Sequence, residues 1–267
     1  MSNSVESYTP GYSEIAVRYM QRRHAARDAA FVLPRLKPGM SLLDCGCGPG
    51  SITVGLAEAV APGSVVGIDV EPTQLAMAER AAQDHTLANV RFQTASVYQL
   101  PFPDHSFDAV FSHALFEHLA EPLDALREVR RVLRPGGFAA IVSPDWAGNV
   151  MAPPDAEARR AVEVFQSIQR RNGGNPHIGR ELGRLAHEAG LIQITMSAVY
   201  DCYEDPTLAA DLLAEQVEVH VGKQIVSGPG LDRAEVGGLC RALRAWSRQP
   251  TVLFAQTFVE VIGFAES

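Results

Sequence analysis

The residues best suited to chemistry come early in the chain. Asp44, Gly46, Gly48 and Gly50 lie within Leu42-Leu43-Asp44-Cys45-Gly46-Cys47-Gly48-Pro49-Gly50, where a short apolar strand runs into a glycine-rich turn and then a helix. Glycines in such a turn let the backbone approach a ligand closely at the carboxyl end of the first strand. A second apolar run ends in Gly67-Ile68-Asp69-Val70, placing a carboxylate 19 residues beyond Gly50. An acidic side chain at the end of the neighbouring strand takes both hydroxyls of a ribose, so the expected ligand is a nucleoside. Two nucleoside classes compete. A dinucleotide needs the helix N-terminus for its pyrophosphate and the spacing Gly-x-Gly-x-x-Gly. Here the third glycine comes one residue early, and Pro49 occupies the helix start.

An aspartate two residues before the first of three alternating glycines resembles motif I of the class I S-adenosylmethionine-dependent methyltransferases. Further motifs extend the resemblance over most of the chain: Leu100-Pro101-Phe102, Ser106-Phe107-Asp108-Ala109-Val110, Glu117-His118-Leu119, Leu126-Arg127-Glu128 and Leu133-Arg134-Pro135-Gly136-Gly137. In this order they are similar to motifs of the small-molecule methyltransferases of the ubiquinone-biosynthesis type, the methyltransferase domain 11/25 group. The resemblance implies a doubly wound, Rossmann-like α/β fold. Its seven-stranded sheet has the order 3-2-1-4-5-7-6 with the last strand antiparallel, and helical caps are inserted. The cofactor would be S-adenosylmethionine, leaving as S-adenosylhomocysteine, held at the carboxyl edge of strands 1, 2 and 4.

Carried over by motif, Gly46 and Gly48 line the methionine portion, Asp69 binds ribose, Val70 packs on adenine and Gln74 lies nearby. After the third strand the chain departs from the pattern: many relatives have an aspartate followed by an alanine, and this chain has Ala95-Ser96-Val97. Ser96 accepts one hydrogen bond but brings no charge, which leaves adenine to main chain and apolar packing by residues such as Val97. His113, directly after the fourth strand, is expected where cofactor and acceptor meet, as cofactor contact or proton acceptor. His118, on the turn into the next helix, reads as a structural hydrogen-bonding group. Tyr8-Thr9-Pro10-Gly11-Tyr12 with Arg23 resembles an N-terminal lid in which an aromatic residue and an arginine close over the cofactor, Arg23 pairing its carboxylate. Arg18, Arg22 and Arg27 are rivals for that role. Tyr8, Asp145, Trp146 and Glu215 are expected to face the acceptor, and no catalytic residue is assigned.

These residues need a frame to hold them. From Met40 the chain alternates strand 40–45, helix 49–60, strand 64–69, helix 72–84 and strand 89–95, then strand 107–112, helix 122–133 and strand 137–142. That is a parallel sheet with crossover helices. A helix over 14–33 precedes it. The rhythm breaks at 144–177, read as an inserted cap, resumes with helix 179–189 and strand 191–199, and breaks again over 203–248 before a last strand, Val252 to Phe264. In the second excursion Leu208, Leu212 and Val219 share a stripe on which Glu215 also falls, and Asp232 with Glu235 has capping-box spacing. The expected organisation is an N-terminal lid and helix, 1–38, followed by one methyltransferase domain, 39–267, with caps at about 144–177 and 203–248.

Composition limits the alternatives. A chain of 267 residues with 46% hydrophobic and 20% charged residues buries a sizeable core, which excludes disorder. Scattered basic residues and a net charge of −8 argue against a nucleic-acid groove. Residues 252–264 contain Gln256 and Glu260 and are too short to cross a bilayer, so no membrane partner is expected. Met1 to Tyr12 lacks the charged start and apolar run of a signal peptide, and four cysteines read as reduced, buried thiols, so the expected setting is cytoplasmic. His113 and His118 have no third ligand cluster, so no metal is expected. The expected reaction is direct in-line methyl transfer to a small-molecule acceptor. Rival readings are a nicotinamide-dependent oxidoreductase and a nucleoside-binding module without catalysis. Oligomeric state is left open.

Overall fold

A computed structural model describes residues 7–203, 205–224 and 232–266. Ser13 caps the first helix, α1 (Glu14–Gln21), its Oγ accepting the Ala16 N–H at 3.3 Å. The single helix expected over 14–33 is interrupted at Arg22-Arg23-His24 and resumes as one turn, α2 (Ala25–Asp28). Asp28 Oδ2 accepts the His24 N–H at 2.8 Å, and this local bond accompanies the extended His24 backbone that ends the helix.

The alternating apolar runs then fold as expected. β1 (Leu42–Cys45), α3 (Thr53–Val60), β2 (Val65–Asp69), α4 (Pro72–Asp84) and β3 (Val90–Thr94) form the first half of the sheet. β4 (Phe107–His113), α5 (Pro122–Val132) and β5 (Leu133–Pro144) continue it. Strand β1 is buried on both faces because alternate residues point opposite ways. Leu43 and Cys45 join a core with Leu126, Val129 and Leu182. Leu42 joins the opposite core with Leu56, Val60 and Phe111.

A short strand, β6 (Val150–Ala152), was not anticipated; it precedes α6 (Ala156–Arg171), α7 (Leu182–Glu188) and β7 (Ile192–Tyr203). The chain closes with α8 (Thr207–Gln224), α9 (Arg233–Trp246) and β8 (Leu253–Phe264). β5 and β6 pair with successive stretches of one edge of β8, and β7 pairs with its other edge, all antiparallel. Leaving the short β6 aside, the order is β3-β2-β1-β4-β5-β8-β7, the expected topology with its antiparallel strand.

Helices α6, α8 and α9 share a separate apolar cluster around Ala161, Phe165, Val217, Leu243 and Trp246. The capping box of α9 is present: Asp232 Oδ1 accepts from Glu235 N at 2.8 Å, and Glu235 Oε2 accepts from Asp232 N at 2.7 Å. The stripe expected on α8 is corrected. Leu212 is buried as expected, but Val219 is 43% exposed, and the buried face runs also through Ala210, Leu213, Ala214 and Val217. Of the expected lid and cap, residues 1–6, 204 and 225–231 lie outside the described residues. Cys45, Cys47 and Cys240 are buried free thiols as expected, whereas Cys202 is exposed.

Candidate active site

The first turn of the sheet is pinned by backbone. Gly46 N and Cys47 N both donate to Ile68 O, at 2.9 and 3.0 Å, tying the glycine turn to the end of β2. Gly46 (φ +71°) and Gly48 (φ +52°) adopt left-handed conformations that favour glycine, and both border a cavity of 220 Å³. Gly50 does not border it. A Cβ there would lie 2.7 Å from Ala78 Cβ, so this glycine serves the contact between the turn and α4.

The same cavity gathers Tyr12, Arg23, Asp69, Val70, Gln74, Ser96, Val97 and His113, so every residue expected to meet the cofactor borders one space. Asp69 accepts one backbone N–H on each carboxylate oxygen, Gly48 N on Oδ2 and Glu71 N on Oδ1, both at 3.0 Å. Burial raises its pKa, and those bonds oppose the rise. Val70 is 61% exposed for a valine at a strand end, and Gln74 is buried with both amide atoms unpartnered among the described residues. Ser96 Oγ accepts the Tyr98 N–H at 3.3 Å. Burial, with the charges of Arg23, Arg27 and Arg22, drives the His113 pKa well down, so its imidazole is neutral. Its Nδ1 has no partner among the described residues.

The four candidate arginines part company. Arg22 bonds Asp201 and lies 4.1 Å from the Tyr203 ring centroid, Arg27 pairs with Asp28, and Arg18 faces a separate surface hollow. Arg23 forms no ion pair among the described residues and borders the cavity.

A second cavity of 60 Å³ abuts the first, and Tyr8, Met20, Arg23, Ala114 and His118 border both. Its apolar wall comes from Trp146, Phe165, Leu212, Leu213, Phe254 and Phe258, brought together from α6, α8, β8 and the turn after β5. The Trp146 and Phe165 rings lie 5.3 Å apart. Tyr8 stacks on Tyr12 at 5.1 Å and meets His118 edge-on at 4.6 Å, so the lid aromatic sits between the cavities.

Two residues expected in the acceptor wall are placed elsewhere. Asp145 is buried but held by Arg180 at 2.6 and 2.9 Å, and its Oδ1 accepts the Ala147 N–H. Glu215 Oε2 accepts a bond from Ser13 Oγ at 3.1 Å, joining α8 to the lid. Neither borders either cavity. His118 departs from its expected structural role too: its ring borders both cavities, its Nδ1 is unpartnered among the described residues, and burial lowers its pKa to about 3.

The sequence motifs contain Asp44 and Glu117 but assign neither a place in the site. Asp44 borders the first cavity, accepts a 2.6 Å bond from Thr53 Oγ1 and is raised to a pKa of about 7 by burial. Glu117 borders the second and is raised to about 7 for the same reason.

Residues 43–141 match the model of a methyltransferase domain family. Over 259 residues the chain is 30% identical to an uncharacterized methyltransferase of Schizosaccharomyces pombe, covering 91% of this chain and 92% of that protein. The chain belongs to the class I S-adenosylmethionine-dependent methyltransferases. The methyltransferase is also 38% identical over 183 residues to an uncharacterized 37.1 kDa protein in transposon TN4556 of Streptomyces fradiae. That match spans 67% of this chain and about half, 51%, of the other protein. In fold it resembles the YcgJ protein of Bacillus subtilis, with a TM-score of 0.62 at 18% identity, covering 91% of this chain and 99% of that one. Membership sets aside the nicotinamide alternative.

The first cavity of the methyltransferase fits its cofactor chemically. Backbone without Cβ at Gly46 and Gly48, a carboxylate with spare lone pairs at Asp69, an exposed apolar Val70, the orphaned Gln74 amide and an unpaired Arg23 guanidinium match its glycine-like tail, ribose and base. Among the described residues no cluster of His, Cys, Asp and Glu is set to hold a metal, and no helix is long and apolar enough to cross a membrane.

Proposed function

We propose that this methyltransferase transfers a methyl group by in-line displacement to a small-molecule acceptor seated in the second cavity. The observation that carries the reading is the shared wall: Tyr8, Met20, Arg23, Ala114 and His118 border both spaces, so ligands filling them would meet there. In the first cavity we assign Asp69 to the ribose hydroxyls, Val70, Ser96 and Val97 to the base, and Gly46 and Gly48 to the methionine portion, with Gln74 nearby. Arg23 answers the carboxylate, and Tyr12 and His113 complete the rim.

When bound, S-adenosylmethionine supplies an electrophilic methyl on a sulfonium. What the protein adds is alignment and dryness, and positioning alone contributes about 7 to 11 kcal/mol in well-oriented systems. The neutral His113 ring, packed 5.3 Å from Phe258, holds no charge to compete for the acceptor. Trp146 and Tyr8 exclude water from the acceptor side. On this reading residues 1–38 act as a lid on the domain 39–267, with 144–177 and 203–248 as caps. Lid and caps join at Ser13–Glu215 and at Asn172 Nδ2, which donates to Thr9 Oγ1 at 3.0 Å.

The test is incubation with methyl-labelled S-adenosylmethionine and fractionated extract of the producing cells, followed by mass spectrometry. Label in a small molecule is the expected result. Label only in protein or nucleic acid overturns the acceptor class, and cofactor binding with no labelled product favours a module that has lost catalysis.

A further inference from the structure

Among the described residues bordering the acceptor-side cavity, Glu117 is the one acid. It lies in the 3-10 turn Phe116–His118 after β4 and is 4% exposed. Ser143 Oγ, on β5, donates to its Oε2 at 2.9 Å. Its backbone carbonyl accepts from Asn175 N at 2.9 Å and from Gln169 Nε2 at 3.0 Å, so the segment is fixed from the α6 side as well. Oε1 is 3.6 Å from His118 Nε2, beyond hydrogen-bond distance. A carboxyl group this deep in an aromatic wall, with no arginine or lysine paired to it among the described residues, costs folding free energy to keep ionised.

We propose that Glu117 is the proton acceptor of the reaction and that the acceptor is an uncharged planar molecule bearing an acidic hydroxyl, a phenol or an enol. This rests on the methyl-transfer reading above. Trp146, Phe165, Phe254 and Phe258 offer flat apolar faces, which suit a conjugated ring. Arg23 borders the same space without an ion pair among the described residues, which disfavours an ammonium acceptor and favours a developing oxyanion. In the step, the acceptor O–H bond breaks and its proton passes to Glu117. The oxygen electron pair forms the C–O bond to the methyl as the C–S bond breaks, and sulfur keeps that bonding pair.

The groups facing Glu117 leave it free to set the pH response. Burial holds the Tyr8 hydroxyl protonated far above neutrality and His118 neutral down to about pH 3, and Ser143 and Gln169 do not titrate. Burial places Glu117 itself at about 7, where a general base works well near neutral pH.

The experiment uses the full chain loaded with S-adenosylhomocysteine and two probes, 4-ethylphenol and 4-ethylanisole, which differ by the hydroxyl proton. Calorimetry on the wild type at pH 8 is expected to show the phenol binding about tenfold tighter or more. Glu117→Gln should erase that preference while S-adenosylhomocysteine affinity stays within about threefold. With labelled S-adenosylmethionine, methylation of the phenol should show an acid limb near neutrality that Glu117→Gln abolishes, with a rate loss of about a hundredfold or more. Ser143→Ala, which keeps the carboxyl and removes a bond that favours its ionised form, should move the limb to higher pH. Equal binding of the two probes, a preference that survives Glu117→Gln, or a limb unmoved by Ser143→Ala overturns the assignment. A labelled extract product methylated on nitrogen, sulfur or carbon overturns it while leaving methyl transfer intact, whereas no labelled product from extract or phenol removes methyl transfer itself.

Discussion

The cofactor-side cavity sits on the strand ends of the sheet, where main-chain bonds fix the glycine turn, and the acceptor-side cavity is walled by side chains from separate helices and β8. The first is built where β1, β2, β3 and β4 end, from short stretches around 44–52, 68–74, 95–98 and 111–119, and is bordered also by Tyr8, Tyr12, Met20 and Arg23 of the lid. Two main-chain bonds to Ile68 O and two left-handed glycines fix its rim. The second draws on the lid, α6, α8 and β8. Those parts are clasped by side chains: the Tyr19 and Tyr203 hydroxyls bond each other and Gln256 Oε1, Arg22 bonds Asp201, and Ser13 bonds Glu215. A site whose turn is fixed by main chain tolerates little change in that turn. A site walled by side chains can be reshaped by substitution while the sheet beneath it stays intact, so the comparison predicts that cofactor and acceptor functions separate on mutation.

The harshest way to break the comparison is at Gly50. A side chain there meets Ala78 at 2.7 Å and must adopt φ +77°. Overpacking costs about 1 to 3 kcal/mol and a left-handed conformation about 1 to 2, so Gly50→Val should lose about 2 to 5 kcal/mol of stability in urea denaturation. A protein of wild-type stability would show that the turn is not fixed by its backbone. Asp69→Ala comes next. It leaves the turn standing and should weaken S-adenosylmethionine binding by about 1.5 to 3 kcal/mol, the scale for hydrogen bonds to a charged group. Calorimetry giving unchanged affinity in a folded variant would remove the ribose assignment.

Glu117→Gln sharpens the acceptor side through stability. The folded pKa of about 7 lies above the unfolded carboxyl value of 4.5, so the folded state keeps a proton that the unfolded state releases. Its contribution to stability is therefore lost as pH rises from 4.5 through 7 and is constant above that. Tyr8, Arg23, His118, Ser143 and Gln169 face the group in wild type and variant alike. The neutral glutamine avoids the loss, so its stability relative to wild type should grow by on the order of 1 to 3 kcal/mol between pH 5 and pH 8. A difference independent of pH would mean that Glu117 is not held protonated by burial.

What could be read from the sequence divides along the same line. Gly46, Gly48 and Asp69 lie within short stretches whose spacing follows from strand and turn geometry, so a linear reading finds them. Sheet order came with the motifs, and helix α4 has the bounds its first-turn proline predicted. Glu117 lies in a motif, yet its surroundings depend on Ser143 and Gln169 arriving from β5 and α6, which no local pattern announces. Glu215 failed for the converse reason. A carboxylate on an apolar stripe reads as facing a ligand until Ser13, 202 residues away in sequence, is seen to donate to it. Asp145 likewise reads as acceptor-facing from the sequence, and Arg180, 35 residues on, holds it instead. The helix break at Arg22-Arg23-His24 carries neither glycine nor proline, and only the Asp28 side chain marks it.

Trp146→Ala tests the separation directly. The indole borders the acceptor-side cavity alone, so cofactor affinity should stay within about tenfold, or 1.4 kcal/mol, while an identified acceptor binds more weakly by at least that factor. Paired titrations on the one variant decide it. Loss of cofactor binding with acceptor binding intact, in protein still folded by circular dichroism, would merge the two cavities into one functional unit.

The smallest effect is expected where the cofactor side is least fixed by charge. Ser96 stands where the resemblance implies an aspartate, and its Oγ already accepts the Tyr98 N–H at 3.3 Å, which leaves its own O–H and one lone pair for the base. A neutral bond to a half-buried partner is worth about 0.5 to 1.5 kcal/mol, so Ser96→Ala should weaken S-adenosylmethionine by no more than that, well below Asp69→Ala. Ser96→Asp extends the test in the other direction. It introduces the implied carboxylate into a rim that holds Val97 and an exposed Val70 as apolar packing, and it should tighten binding if the adenine amino group lies within its reach. Titrations of both variants beside Asp69→Ala give the ranking. A Ser96→Ala loss exceeding that of Asp69→Ala would mean that the base, and not the ribose, anchors the cofactor in this chain.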